Sequence, residues 1–300
     1  MSWPVLTLSE WADTRDTLHM WTQIVGKVRL ACEPMINHWW QITLYPSARG
    51  LTTSMMPVGT RGLEIEFDFV DHDLVLRTTD GQWRRVKLEP RTVADFYAAT
   101  MRALTELDVP VSIHSRPVEV ETAIPFPDDE QHRSYDGDAA RRFWLALVHS
   151  TRVMTEFRAR FIGKVSPVHY FWGGADLAVS RFSGRTAPKH PGGVPNCPDW
   201  VQVLAYSHEV SSCGFWPNGA DEGAFYSYAY PTPDGFADAA VEPAAAYFDN
   251  ALGEFILPYR DVRTAADPDA TLLAFLQSTY EAAADLARWP RAELETPPRP

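Results

Sequence analysis

The order of motifs in the first half of this chain returns in the second. The run Gln23-Ile-Val-Gly-Lys-Val-Arg29 has a counterpart in Arg160-Phe-Ile-Gly-Lys-Val-Ser166, displaced by 137 residues between the lysines (164 − 27). His38-Trp39-Trp40 is matched by His169-Tyr170-Phe171-Trp172, and Thr52-Thr-Ser-Met-Met-Pro57 by Ser211-Ser-Cys-Gly-Phe-Trp-Pro217, each ahead of an alternating strand. Such a recurrence points to a diverged tandem duplication of a helix, strands, helix unit, whose copies pack about a pseudo-twofold axis with equivalent segments face to face. The expected fold is α+β with two similar halves, each an antiparallel sheet with flanking helices: residues 1–130 and residues 131–300, packed as one compact body. The segments after Lys27 and Lys164 are expected to superpose as equivalent helix-to-strand junctions.

Local pattern supplies the elements. Thr7 and Glu10 read as a capping box opening a helix that carries Trp11, Leu18, Trp21, Val25 and Val28 and ends at Pro34. A strand-like run covers Trp39 to Ala48, and Leu63, Ile65, Phe67 and Phe69 then alternate with Glu64, Glu66 and Asp68, the period of a sheet wet on one face. Asp71-His-Asp73 turns that strand, Leu74 to Thr78 runs back, Asp80-Gly81 signals a hairpin into Trp83 to Leu88, and Thr92 caps a helix. Past a proline- and acid-rich connector from Val118 to Tyr135, a long helix is expected from about Asp138 to Arg160. Strands follow at His169 to Phe182, Val201 to Ser211 and Ala224 to Tyr230, with a long loop from Gly184 to Asp199 of the kind that is mobile or functional. Two helices close the chain, one using Val241, Phe248, Leu252, Phe255 and Ile256, the other opened by Asp267-Pro268, and the tail from Glu293 frays.

Charge and cysteine content narrow the function. Lys and Arg number 27 against 39 Asp and Glu, a net charge of −12, which argues against binding to nucleic acid or an anionic membrane. The apolar runs are too short to span a bilayer, and Met1-Ser-Trp-Pro-Val lacks the basic region and apolar core of a secretory signal, so the chain reads as cytoplasmic. Cys32, Cys197 and Cys213 are scattered with no CxxC, which excludes a disulfide framework and a cysteine-rich zinc site. Gly173-Gly174 lacks the context of a dinucleotide motif, Gly26-Lys27 and Gly163-Lys164 lack that of a P-loop, and no GxSxG is present. No cofactor is called for, and no HxH, HExxH or HxxxH spacing supports a metal at His38, His169, His208 and Asp176.

Between Arg141 and Lys189 nine basic residues meet two acids, a local balance of +7 in an acidic chain. Guanidinium groups pair carboxylate or phosphate through two hydrogen bonds, so this island is a candidate anion site, set against the plainer reading that the arginines pair with surface acids. Arg49, Arg181 and Arg185 are the candidate anion grips, with Thr52, Thr53, Ser183 and Ser212 as hydroxyl donors. Alternation along Tyr206, His208 and Val210 sets His208 among apolar neighbours while Glu209 points away, so His208, with His169, is a candidate for proton transfer. The plainer reading is a hydrogen-bonded core histidine. The chain has 11 tryptophans, most of them core; Trp40, Trp172 and Trp216 sit at element ends beside His, Gly or Pro and are candidates to line a cleft.

Gly26-Lys-Val-Arg-Leu, Asn37-His-Trp-Trp, Arg49-Gly-Leu-Thr-Thr-Ser, Phe67-Asp-Phe-Val-Asp-His, Gly163-Lys-Val-Ser-Pro-Val-His, Arg181-Phe-Ser-Gly-Arg, Ala205-Tyr-Ser-His-Glu-Val-Ser-Ser and Tyr228-Ala-Tyr-Pro resemble, over nearly the whole chain, a bacterial family of hypothetical proteins known only as a domain of unknown function. The resemblance implies no activity. The residues point to an enzyme or binder of a small anionic, partly apolar molecule held between the halves; the other reading is a non-enzymatic interaction protein whose aromatic segments are core or interface.

Overall fold

The structure, a computed structural model, describes residues 2–296. Each half is a long helix, a six-stranded antiparallel sheet and a second helix, so the fold is α+β with two similar halves. In the first half, α1 (Leu8–Cys32) leads through a 3-10 turn (Asn37–Ile42) to β1 (Tyr45–Pro46), β2 (Gly50–Thr52), β3 (Met56–Val58), β4 (Arg61–Asp68), β5 (Asp73–Thr78), β6 (Trp83–Lys87) and α2 (Val93–Glu106). In the second, α3 (Gly137–Ala159) leads to β7 (His169–Phe171), β8 (Asp176–Thr186), α4 (Asp199–Ala205), β9 (His208–Trp216), β10 (Ala224–Tyr230), β11 (Tyr247–Asp249) and β12 (Glu254–Pro258). The chain closes with α5 (Tyr259–Arg263), α6 (Pro268–Leu286) and α7 (Arg291–Leu294).

The strand orders correspond. The first sheet runs β1-β2-β4-β5-β6, with β3 paired beside β2 on β4, and the second runs β7-β8-β9-β10-β12-β11. The two leading strands meet edge to edge through a reciprocal pair of bonds, Leu44 N–H to Tyr170 O at 2.9 Å and Tyr170 N–H to Leu44 O at 2.7 Å, as a pseudo-twofold requires. The motif register does not carry over. Lys27 lies inside α1, which continues for five more residues, whereas Lys164 lies beyond the end of α3, and Val165 bridges Arg181 beside β8. The segment after Lys27 is therefore helix and the one after Lys164 an extended stretch with a single bridge, so the two are not equivalent junctions.

Thr92 and Asp267 cap α2 and α6 by accepting from the Asp95 and Ala270 amides, as their spacing implies. Thr7 makes no side-chain cap bond to α1. Three expected elements change type. Trp39 to Ala48 is a 3-10 turn and a two-residue strand, because His38 and Trp39 adopt left-handed φ of 57° and 63°. Val201 to Ala205 is helical, with the strand starting at His208. The stretch from Phe248 to Ile256, expected as helix, is the β11–β12 hairpin, turned at Gly253 with φ 74°. The tail is ordered through Thr296, whose amide donates to Arg160 O at 2.9 Å, while residues 297–300 lie outside the described part. Among the described residues no helix is long and apolar enough to cross a membrane.

One buried cluster runs from Trp3 to Trp289 through both halves. Trp21 of α1 stacks on Phe96 of α2 at 4.4 Å over the first sheet, and α3 and α6 cover one face of the second. From Met20 to Arg29 α1 is buried on every side, so Lys27 and Arg29 enter the interior with it. The second sheet's other face looks towards the first half. There Ala224, Tyr226 and Ile256, with Trp216 and Tyr228, form a cluster separate from the main core.

Candidate functional site

Register decides which side chains meet on that inner face. Ser180 pairs with Ser212, Gly214 with Ala178 and Tyr226, and Tyr228 with Ser212, so the floor is small and hydroxyl-bearing while the tyrosines rise from β10. Ser180 Oγ and Ser212 Oγ lie 2.8 Å apart. At Gly214 a Cβ would sit 2.4 Å from the Tyr226 hydroxyl, so glycine there lets that phenol cross the floor to donate to Asp176 Oδ2. Tyr206 and Tyr228 share a hydrogen bond of 2.9 Å, and His190 stacks on Tyr206 at 4.6 Å. The Gly184 to Asp199 loop and α4 form the roof: Tyr230 donates to Pro188 O at 3.1 Å and Glu119 N–H to Pro195 O at 2.9 Å, while Trp39 Nε1 donates to Val201 O at 2.8 Å.

One end of the face is acidic. Burial, then the charge of Asp176, pushes Glu119 up to about 7. Burial pushes Asp176 to about 6, and burial together with Asp176 and Asp249 pushes Glu254 to about 7. The Glu119 side chain is exposed, and Asp176, Tyr206, Tyr228 and Glu254 are half-buried. Carboxyl groups titrating near neutrality are suited to giving or taking a proton.

The other end is cationic. Val165 opposite Arg181 sets Lys164 opposite Phe182 on the inner face. Its Nζ lies 5.3 Å from the Phe182 ring, 5.6 Å from the Trp40 ring and 2.8 Å from His38 Nε2. His38 Nδ1 is 2.8 Å from the Ala205 carbonyl, which only accepts, so Nδ1 carries the proton and Nε2 accepts from Lys164. Burial first, then Lys164 and His208, lowers the His38 pKa; burial lowers that of Lys164. Lys164 has no carboxylate within ion-pair distance among the described residues.

The sequence candidates divide. His208 meets His38 edge-on at 5.8 Å, and Trp40 lies 6.5 Å from His169, so these three gather at the cationic end. His169 is fully buried, with both ring nitrogens unpartnered, and burial followed by Arg29 lowers its pKa to about 3. Ser212 is in the floor and Trp216 packs at the Tyr226 end. Trp172 lies against α1 and donates to Ile42 O at 2.8 Å.

The expected arginines do not assemble with them. Arg181 pairs with Ser211 in register, so it faces α3 and α6, fully buried, its guanidinium 3.4 Å from the Phe157 ring and 4.2 Å from that of Tyr280. Ser183 and Arg185 share that opposite side and both bond Glu209, at 2.8 Å and 2.6 Å. Arg49 lies on the first sheet, paired with Asp68 and with Asp71 at 2.7 Å, beside Thr52, which donates to Glu64 at 2.7 Å, and the buried Thr53. Of the basic island, Arg152, Arg160 and Arg185 are drawn into ion pairs and Arg181 into an aromatic cage, while Lys164 stands at the inner face. Sequence reasoning missed Glu119, Tyr226, Tyr228 and Glu254; the alternating Tyr226-Ser-Tyr-Ala-Tyr230 was the available signal for the tyrosine wall.

Among the described residues no group of three or more His, Cys, Asp or Glu side chains is arranged to hold a metal ion. No curated protein and no solved structure matches the chain. The model of a family of unknown function, DUF5996, matches residues 3–296, and the chain belongs to that family.

Proposed function

We propose that this is a cytoplasmic protein that binds a small anionic, partly aromatic molecule on the inner face of the second sheet. The anionic group pairs with Lys164 beside His38 and His208, the ring lies against Trp40 and Phe182, and Ser180 and Ser212 supply hydroxyls. The observation that carries this reading is Lys164: an ammonium held 2.8 Å from a neutral imidazole and over two aromatic rings, with no carboxylate partner among the described residues. Such a cation keeps its pairing capacity for a ligand.

Calorimetric titration with benzoate, phenyl phosphate and inorganic phosphate tests the proposal. At least one aromatic anion is expected to bind more tightly than phosphate, and Lys164→Met to weaken it about tenfold or more, the loss of about 1.5–3 kcal/mol that accompanies a charged hydrogen bond. No binding by any of the three, or equal affinity in Lys164→Met, overturns it.

A further inference from the structure

Lys27 is used by nothing described above. The chain has four lysines, Lys27, Lys87, Lys164 and Lys189, against 23 arginines. Lys87 and Lys189 are exposed, whereas Lys27 is only 5% exposed, in the Met20 to Arg29 stretch of α1 that is buried on every side. Its ammonium nitrogen makes no hydrogen bond or ion pair with any described residue, yet it is absent from the side-chain nitrogens sealed from solvent, which include Trp21 Nε1 and both nitrogens of His169. The amine therefore keeps a small contact with solvent at the end of an otherwise buried side chain. Around it the chain is built for close approach. A Cβ on Gly26 would fall 2.1 Å from Trp172 Cδ1, so glycine in mid-helix, disfavoured by about 1 kcal/mol, is what lets the indole lie against α1. Lys27 Nζ is 5.9 Å from that ring and 6.0 Å from Phe126. One turn earlier Gln23 clamps Val118 through bonds of 2.8 and 2.9 Å, which fixes the connector carrying Glu119.

We infer that Lys27 is a covalent site for the carbonyl group of a small aldehyde or ketone, forming an imine. An ammonium buried without a carboxylate is costly, whereas a neutral amine there is tolerated and nucleophilic. Enclosure lowers the Lys27 pKa to about 8, so part of it is free amine at neutral pH. The Nζ lone pair attacks the carbonyl carbon, a proton moves from nitrogen to oxygen to give the carbinolamine, the hydroxyl leaves as water after taking a proton from solvent as the C=N bond forms, and the iminium nitrogen returns a proton to solvent. One carbonyl and one amine give one imine and one water, with no change of oxidation state. The Trp172 and Phe126 rings favour an apolar or aromatic body on the carbonyl compound.

The test is reductive trapping of the full-length protein with benzaldehyde and cyanoborohydride at pH 7, read by peptide mass mapping. Benzaldehyde has no anionic group, so this result is independent of anion binding at Lys164. Labelling of Lys27 is expected to be at least about tenfold faster than that of the exposed Lys87 and Lys189, and to saturate with benzaldehyde concentration. Lys27→Met is expected to fold with an unchanged circular dichroism spectrum and to lose the fast-labelling phase. Lys27 modified no faster than Lys87, or a fast phase that survives in Lys27→Met, overturns the inference.

Discussion

Arg181 shows how much a single residue's face decides. Its Nε and Nη1 have no partner, Nη2 donates to Phe157 O, and burial lowers its pKa to about 10. It acts as a packing piece whose charge is tolerated through the ring faces of Phe157 and Tyr280. Arg181→Ala is expected to destabilise by about 2–4 kcal/mol through the cavity it leaves, while Arg181→Met, similar in length and uncharged, stays within about 1 kcal/mol, both read by urea unfolding. Equal losses in the two variants contradict this role. At Asp176 the sign of the pH effect follows from a folded pKa raised to about 6 from 3.8. The folded state holds the proton more tightly, so this group's contribution is full below about pH 4 and lost as pH rises through 6. Relative to the parent, Asp176→Asn is therefore expected to gain stability between pH 4 and 6, on the order of 1–3 kcal/mol, and to level off above that. A constant difference across that range contradicts it.

At the scale of elements, alternation was legible and register was not. His208 and Val210 share a face opposite Glu209, as period two requires, and Arg181 and Ser183 share a face on β8. Whether those two faces coincide depends on the pairing of β8 with β9, and Arg181 opposite Ser211 sets them on opposite sides; a one-residue slip reverses every such relation. The type errors have equally local causes. Leu252, Phe255 and Ile256 fit helical spacing, but Gly253 in the left-handed region and the partner strand β10 make the stretch a hairpin. The roof contrasts with the sheet beneath it. No residue of α4 is buried, and it is held mainly by Trp39, which donates to Val201 O and packs on Trp200 at 4.9 Å, and by His38. Segments with so few buried contacts open at low free energy. Limited proteolysis is expected to cut first within residues 187–200, several-fold faster in Trp39→Ala, with far-ultraviolet dichroism retained. First cuts in the β5–β6 hairpin contradict this.

For the whole molecule, the repeat is real in architecture and wrong as a fixed offset. The leading helices start 129 residues apart (137 − 8), β4 and β9 start 147 apart (208 − 61), and α2 and α6 start 175 apart (268 − 93). The growth comes from the roof loop and α4 and from the segment between β10 and β12, both present only in the second half. The roof loop and α4 overhang the inner face, whereas the segment between β10 and β12 packs against α6 on the opposite side, so only the first of the two insertions encloses the candidate site. In a chain of net charge −12, Lys164, with no carboxylate within ion-pair distance among the described residues, is what gives the proposed site its attraction for an anion. The most direct measurement is a high-resolution crystal structure of the full-length protein with benzoate or phenyl phosphate. The expected result is an ordered anion within hydrogen-bond distance of Lys164 Nζ, with its ring against Trp40 and Phe182. An inner face filled by its own side chains, with Lys164 turned to bulk solvent and no ordered anion, contradicts the proposed site.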